Sequence, residues 1–247
     1  MIRLVIFDAF GTILAPRLPV YVQYSQTFAP YLGVLDPDAL KSAFRVALKQ
    51  LQVEKPVYEN GAEGWWGEVI KRTAVGAGAD PQTVDKSLPE IVPKLMKRFS
   101  SREGYKAFDD SLPTLEKLRA MGVKSALVSN ADSRMRLVLD DLSLSPHLTE
   151  ILISEEEGIE KPAKEIFARA CQRVGVGLDE AVHVGDELDG DYYGASKAGL
   201  QALLVRRPGP EGDDERKEEG ENLCGVTVVH SLLEVADWVQ QKNSGKK

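Results

Sequence analysis

Short apolar segments recur along the chain and alternate with segments of helical periodicity, and this alternation restricts the fold more than any other feature. The apolar segments are IRLVIF (2–7), KSALVS (124–129), EILIS (150–154), AVHVG (181–185), QALLV (201–205) and GVTVV (225–229). Such runs, with helices between them, are typical of strands that are buried on both faces of a parallel sheet. The sequence therefore predicts an α/β fold with a doubly wound, mostly parallel, Rossmann-like sheet, and the last segment is expected at its edge.

The strand pattern is interrupted between about Pro16 and Arg102, where four segments have helical spacing and two of them open on Asp-Pro. We predict an α/β core of residues 1–15 and 103–247 and a helical cap of residues 16–102 inserted after the first strand. Because the insertion starts just beyond Asp8, we expect it to cover the edge where the strands end. The alternative is an extra helical layer beside the sheet. Residues 206–222 are rich in charge, Gly and Pro, which predicts a solvated or disordered, flexible loop within the core.

The charge balance and cysteine content narrow the partners and the compartment. The 247 residues carry 31 Lys and Arg against 38 Asp and Glu, a net charge of −7, which argues against nucleic-acid binding by charge. The first apolar run is too short to span a membrane, so no membrane partner is expected. Two cysteines cannot build a disulfide framework. We expect an intracellular, cytoplasmic protein, with the nucleus left open, and the sequence leaves monomer or dimer open.

Polar residues follow four consecutive predicted strands, in chain order, at the positions where those strands end or shortly after. They are Asp8 with Thr12, Ser129 with Asn130, Lys161, and Asp186 with Asp189 and Asp191. Any one of these groups could be a helix cap or a turn. In a doubly wound sheet, however, ligands bind at the carboxyl edge, and four such groups at that edge favour a functional site.

These residue types suit nucleophilic catalysis on an anionic substrate. Asp8 would be the nucleophile and form a covalent aspartyl intermediate. Lys161 would supply the positive charge that lets a carboxylate approach an anion. Hydrogen bonds to substrate oxygens would come from the Thr12 and Ser129 hydroxyls and the Asn130 amide. The expected partner is therefore a small anionic molecule.

The carboxylates at the same edge suit a hard cation. Asp8 and Asp186, with Asp191 or Asp189, offer oxygen ligands for Mg²⁺, which is usually held by one or two carboxylates and several waters. Without a metal or Lys161, carboxylates this close would repel one another and raise each other's pKa values. Mg²⁺ is therefore the expected cofactor.

Four segments together resemble the motifs of the haloacid dehalogenase (HAD) superfamily, in its members with a helical cap in the first loop. The segments are FDAFGT, VSN, EKPAKEIF and HVGDELDGDYYGASKAG. The resemblance implies a hydrolase with Asp8 as nucleophile, Lys161 as charge stabiliser, Asp186 as Mg²⁺ ligand and Asp191 as a ligand or supporting carboxylate. It also implies that Thr12, Ser129 and Asn130 bind substrate oxygens. The third motif departs from the pattern, with Ala163-Lys164 where the family often has Asp-Pro.

Phe10 limits what the resemblance implies about the reaction. Superfamily phosphatases carry a second aspartate at this position, which protonates the leaving alkoxide, and such an acid contributes about 10²–10⁴-fold. The main-chain carbonyl of Phe10 remains available as a metal ligand. We therefore predict a Mg²⁺-dependent hydrolase of a small phosphorylated metabolite, with weak activity on ordinary monoesters. Two alternatives stay open: a metal-independent 2-haloacid dehalogenase, whose family carries an aromatic residue at this position, and a weakly active or inactive binding protein.

Overall fold

A computed structural model describes residues 1–59, 61–208 and 220–245, and its main element is a parallel sheet. The strands are β1 (Leu4–Phe7), β2 (Leu14–Pro16), β3 (Tyr105–Ala107), β4 (Lys124–Ser129), β5 (Glu150–Ile153), β6 (Ala181–Gly185), β7 (Gln201–Val205) and β8 (Val228–Val229). Six of these described strands form one sheet in the order β5-β4-β1-β6-β7-β8, and each neighbouring pair is parallel. The predicted doubly wound sheet is thus confirmed, with β8 at an edge. Strands β2 and β3 pair separately.

The helices follow the periodic segments of the sequence closely. They are α1 (Val20–Leu32), α2 (Pro37–Glu54), α3 (Ala62–Gly76), α4 (Pro81–Arg98), α5 (Ser111–Ala120), α6 (Arg134–Asp141), α7 (Ser154–Glu157), α8 (Lys164–Val174), α9 (Gly194–Ala198) and α10 (Leu232–Asn243). Short 3₁₀ turns occupy Pro56–Tyr58, Ser145–His147 and Leu178–Glu180, and a π-helical turn, Leu188–Tyr193, precedes α9. Among the residues that the structure describes, no helix combines the length and apolarity needed to cross a bilayer.

The sheet is buried on both faces, as its nearly continuous apolar strands predict. All four residues of β1 are buried. Leu4 and Ile6 belong to a core cluster with Ile166 and Phe167 of α8, which covers one face. Because successive side chains of a strand point to opposite faces, the burial of Val5 requires cover on the other face as well. The polar residues that follow the strands are therefore supported by a densely packed sheet.

The chain divides into two compact units. The sheet unit comprises Met1–Ala15, Ala107–Ala131 and Ser143–Lys247, and the helical unit comprises Pro16–Lys106 and Asp132–Leu142. The helical unit extends beyond the predicted 16–102 and includes α6, which the sequence pattern had assigned to the core. Just before α6, a hydrogen bond lies within this unit, where Trp66 Nε1 donates to Asp132 Oδ2 at 2.7 Å. The Arg134 guanidinium also lies 5.4 Å from the centre of the Trp66 ring.

The helices of the helical unit begin where the Asp-Pro pairs predict. Asp36 caps α2 by accepting a hydrogen bond from the Ala39 backbone at 2.8 Å, and Asp80 caps α4 in the same way through Thr83. Each cap leaves the following proline at the first helical position, where its missing N–H costs no hydrogen bond. A buried cluster that includes Tyr24 and Phe28 forms the core of this unit.

The predicted flexible loop 206–222 can be followed only at its ends, because residues 209–219 lie outside the described residues. Arg206 is buried, although it was predicted to belong to a solvated segment. Its guanidinium donates to Glu221 Oε1 at 2.5 Å, from the described start of the loop to its described end. Arg207 forms an ion pair with Asp110 at 2.9 Å. The ends of this segment are therefore held against the sheet unit.

Truncation of Phe167 tests the core of the sheet unit. Phe167 is fully buried, so we expect Phe167→Ala to lower the free energy of unfolding by about 3–5 kcal/mol through lost burial and a residual cavity. The matched control is Leu233→Ala on α10, where the residue is 40% exposed and a change within about 0.5 kcal/mol is expected. Urea unfolding followed by circular dichroism measures both, and equal losses in the two variants would contradict the packing described.

Candidate active site

The carboxyl ends of β1 and β6 bring two loops side by side. Phe7 pairs with Val184, and the Asp8 backbone N–H donates to the Val184 carbonyl at 2.9 Å. Asp8 follows β1 directly, and Asp186 follows the last residue of β6. Both carboxylates are buried, at 6% and 5% exposure. The parallel register therefore places at one edge two acids that lie far apart in the sequence.

Lys161 joins this edge from the loop that precedes α8. Its Nζ donates to Asp8 Oδ1 and to Asp191 Oδ1, each at 2.6 Å. The Lys161 side chain is 2% exposed, so the three charges interact with little solvent screening. The contact with Asp8 is compatible with the predicted role of Lys161 as a charge stabiliser, and that role stays a prediction.

Asn130 is placed beside Lys161, where it holds the lysine backbone. Asn130 Nδ2 donates to the Lys161 carbonyl at 2.9 Å, and Asn130 Oδ1 accepts from the Lys161 N–H at 2.8 Å. Both functional atoms of the amide are thus engaged with one peptide backbone. Substrate binding by Asn130 stays a prediction, and the geometry gives the residue a clear second role in positioning Lys161.

Asp191 is fully buried, and its carboxylate has three hydrogen-bond partners from different parts of the sheet unit. Its Oδ1 accepts from Lys161 and lies 2.8 Å from His183 Nε2, and its Oδ2 accepts from the Glu187 N–H at 2.9 Å. An ionised carboxylate can only accept hydrogen bonds, so His183 carries its proton on Nε2. Asp189, the alternative ligand considered from the sequence, is exposed.

The pKa values of these groups follow from burial and mutual charge. Burial raises the pKa of Asp8, against the opposing effect of the Lys161 ammonium. Burial also disfavours ionisation of Asp191, but Lys161 and the hydrogen bond from His183 outweigh it and hold the Asp191 pKa below its ordinary value. For Lys161, burial is outweighed by the two carboxylates, which raise its pKa. Burial lowers the pKa of His183, which is therefore neutral at pH 7.

Three carboxylates converge closely enough to share a cation. Asp8, Asp186 and Asp191 each offer an oxygen, and these oxygens all lie within 4.8 Å of one another. An all-oxygen set of buried carboxylates has the hard-donor chemistry that Mg²⁺ prefers. The set fits the predicted metal, and both oxygens of Asp191 already accept hydrogen bonds. The Phe10 carbonyl stays a prediction as a ligand.

Two buried hydroxyls at the same edge lack a hydrogen-bond partner among the described residues. Thr12 Oγ1 and Ser129 Oγ are both inaccessible to solvent and unpaired in that part of the chain. A buried hydroxyl left unpaired costs about 1–3 kcal/mol, so such groups are normally satisfied by protein, water or a ligand. Their position at the ends of β1 and β4 fits the prediction that they donate to substrate oxygens.

His183 is the residue that the sequence analysis failed to connect with this site. It lies inside an apolar strand, and only the Leu188–Tyr193 turn brings Asp191 back to it across the end of β6. The signal in the sequence was the buried polar residue itself, since a buried imidazole needs a hydrogen-bond partner. Nothing in the spacing identified Asp191 as that partner.

The fold and the acidic edge define a Rossmann-like α/β protein with a candidate active site, and comparison with known families makes the class specific. The family model for haloacid dehalogenase-like hydrolases matches residues 2–199. The chain therefore belongs to the haloacid dehalogenase-like hydrolases, and the resemblance recognised from its motifs is confirmed.

The chain is also similar to individual proteins. It is 32% identical over 212 residues to haloacid dehalogenase-like hydrolase domain-containing protein 3 of Danio rerio, covering 83% of this chain and 86% of that protein. Over 161 residues it is 36% identical to the glyceraldehyde 3-phosphate phosphatase of Methanopyrus kandleri, covering 64% of this chain and 66% of the relative. A crystal structure of a dehalogenase shares the fold, with a TM-score of 0.71, 22% identity and 96% coverage of both chains.

Gly185 offers a test of the site geometry. A β-carbon at this position would overlap the Asp191 side chain. We expect Gly185→Ala to displace Asp191 from Lys161 and to lower the free energy of unfolding by about 1–3 kcal/mol, the usual effect of overpacking. Chemical denaturation measures the change.

Gly64 is the matched control for Gly185. It lies within α3 with no heavy atom within 4 Å of an added β-carbon. Gly64→Ala should stabilise the protein by about 0.5–1 kcal/mol, because alanine loses less backbone entropy in a helix. A Gly185→Ala variant as stable as Gly64→Ala would contradict the close approach of Asp191.

Proposed function

We propose that this protein is a Mg²⁺-dependent phosphohydrolase that acts on a small phosphorylated metabolite with a good leaving group, with Asp8 as nucleophile. The observation that carries the proposal is the buried contact of Asp8 with Lys161, at 2.6 Å, beside carboxylates within 4.8 Å of each other. A nucleophile, a cationic stabiliser and a hard-cation site at one edge match the requirements of phosphoryl transfer. The helical unit would act as a cap that selects the substrate.

The reaction would proceed through a phosphorylated Asp8. An Asp8 oxygen attacks phosphorus, an O–P bond forms, and the bond from phosphorus to the leaving oxygen breaks with its electron pair going to that oxygen. Lys161 offsets negative charge at the nucleophile, while the Thr12 and Ser129 hydroxyls donate to the phosphoryl oxygens. Water then attacks phosphorus, releases phosphate and regenerates the Asp8 carboxylate.

Asp8 and Asp186 would hold Mg²⁺, with Asp191 as a third carboxylate at the same place. When bound, the ion would supply a Lewis acid that neutralises phosphoryl charge. In the protein itself, Lys161 already separates Asp8 from Asp191, and the His183 and Glu187 hydrogen bonds keep Asp191 turned towards Lys161. These contacts orient the nucleophile before any substrate arrives.

The side chain at position 10 decides which leaving groups the site can serve. Phe10 is half-buried and bridges to Leu14, and it has no proton to donate. An acyl phosphate leaves as a stable carboxylate without protonation, whereas an alkoxide does not. The named activity of the Methanopyrus kandleri relative supports a small phosphorylated substrate, and Phe10 favours those with a stable leaving group.

The first test compares leaving groups directly. We expect Mg²⁺-dependent hydrolysis of acetyl phosphate and slower hydrolysis of simple alkyl phosphates, both measured as phosphate release and both abolished by EDTA. Asp8→Asn should abolish turnover, because the amide is not a nucleophile. An Asp8→Asn variant that keeps full activity would remove Asp8 from the mechanism.

The second test restores the missing acid. Phe10→Asp should raise kcat on alkyl monoesters by up to about 10²–10⁴-fold, since a general acid contributes that much, and should change acetyl phosphate hydrolysis little. The matched control is Phe10→Asn, because asparagine is close in size to aspartate but has no acidic proton at neutral pH. Equal gains from both variants would show that the aromatic ring, rather than the missing acid, limits the rate.

Phe10 also favours one competing function, dehalogenation of a 2-haloacid, since a halide leaves without protonation. Chloride release from 2-chloropropionate in EDTA would establish it. Single turnover in H₂¹⁸O separates the routes. In dehalogenation, water attacks the carboxyl carbon of the Asp8 ester and labels Asp8, whereas water attack on the phosphorus of phosphorylated Asp8 labels the phosphate. Absence of both activities, with Mg²⁺ still bound, would identify a binding protein.

A further inference from the structure

Two adjacent arginines follow β7, and each contacts the backbone of a different loop of the candidate active site. They open the segment that the sequence pattern predicted to be solvated. Arg206 is 5% exposed, and the Arg207 side chain is 10% exposed. Burial of two neighbouring cations is unfavourable unless each is paired and hydrogen-bonded, so their contacts require an explanation.

Arg206 contacts the loop after β6. Its Nη1 donates to the main-chain carbonyl of Asp186 and to the Val205 carbonyl at 3.0 Å, and its Nη2 donates to Glu221 Oε1 at 2.5 Å. The backbone of Arg206 is itself fixed, since its N–H donates to the Val229 carbonyl of β8 at 2.9 Å. The position of the Asp186 peptide is therefore tied to the edge of the sheet.

Arg207 contacts the loop after β1. Its Nη2 donates to the Thr12 carbonyl at 2.8 Å, and its guanidinium pairs with both oxygens of Asp110 at 2.9 and 3.0 Å. The guanidinium also lies 3.7 Å from the centre of the Phe108 ring. Asp110 Oδ2 in turn accepts from the Leu232 N–H at the start of α10, at 2.7 Å. The Thr12 peptide is thus anchored to a rigid element.

We propose that Arg206 and Arg207 are positioning residues, one for the metal-binding loop at Asp186 and the other for the nucleophile loop from Asp8 to Thr12. The proposal rests on the proposed function for the roles of Asp186 and Asp8, and on the hydrogen bonds alone for the fixing of the two loops. Neither arginine touches a reacting atom. Each sets the backbone from which a functional side chain projects.

Arginine suits this position better than lysine because of the shape of its donor group. Each guanidinium donates to a carbonyl and to a carboxylate at once, in directions fixed by its plane. A lysine keeps the charge, but its single ammonium carries no rigid planar fork with which to hold both partners. Glu221 and Asp110 balance the charges of the two guanidinium groups, so each arginine–carboxylate pair is neutral overall.

The test uses the full-length protein and a readout that does not depend on activity. Hydrogen–deuterium exchange reports the amides of the two loops, namely Asp191 and Tyr192, which donate to Glu187, and Ile13 and Leu14, which donate to Ala9. The variants are Arg206→Met, Arg207→Met, and Arg206→Lys and Arg207→Lys in case the methionine variants fold poorly. The matched control is Arg3→Met, which removes an exposed arginine–glutamate pair of the sheet unit, with Nη1 3.0 Å from Glu180.

We expect the arginine variants to act on separate loops. Arg206 variants should raise exchange by about tenfold or more at Asp191 and Tyr192, the effect of losing one hydrogen bond to a charged group. Their Mg²⁺ affinity, measured by isothermal titration calorimetry, should fall about 10–100-fold, as for other residues that orient metal ligands. Arg207 variants should raise exchange at Ile13 and Leu14 and lower kcat, and they should leave exchange at Asp191 and Tyr192 within about twofold of the wild type.

The outcomes separate this proposal from the proposed function. Unchanged exchange in both loops, or an equal rise throughout the protein for both arginine variants, would overturn the positioning roles. If the exchange pattern is as expected but the wild type neither binds Mg²⁺ nor hydrolyses phosphate, the proposed function fails and the fixing of the loops stands. Arg3→Met should leave exchange in both loops and turnover unchanged.

Discussion

The structure of the candidate site depends on one interaction, the buried ammonium of Lys161 held between the carboxylates of Asp8 and Asp191. Two carboxylates at such short range could not both remain ionised in a buried setting without a cation between them. Lys161 makes that possible, and Asn130 fixes the backbone from which Lys161 projects. Removal of the Lys161 charge would leave two buried carboxylates without their cation, which is more costly than the loss of a surface ion pair.

The parallel sheet is what makes this interaction possible. Its parallel strands all end at one edge. Residues separated by more than one hundred positions in the sequence therefore lie side by side at that edge. The apolar faces of the sheet keep that edge rigid, and Gly185 leaves room for Asp191 to lie against the end of β6. A site of preorganised charges needs such a rigid support, because misplacement of a charged group by about 1 Å is costly to catalysis.

Further hydrogen bonds surround the charged centre of Asp8, Lys161 and Asp191. The Asp191 carboxylate accepts hydrogen bonds from Lys161, His183 and the Glu187 backbone N–H. Arg206 and Arg207 hold the two neighbouring loops through hydrogen bonds to backbone carbonyls. Glu221 and Asp110 in turn balance the charges of these two arginines. Most of these side chains contact no reacting atom. Each nevertheless restricts the position of a residue that would contact one.

The sequence by itself determined the strands, the helices and the residues at the sheet edge, because apolar periodicity and Asp-Pro caps act locally and parallel strands must end together. For the same reason it predicted Asp8, Lys161 and Asp186 as site residues, with Asp191 and Asp189 as alternatives. Only the tertiary structure decided that Asp191 rather than Asp189 turns inward, that His183 is its partner, that α6 belongs with the helical unit, that Arg206 is buried and that the Arg207 side chain is only 10% exposed. These outcomes depend on which side chains come into contact after the chain has folded. Residue spacing in the sequence does not specify such long-range contacts.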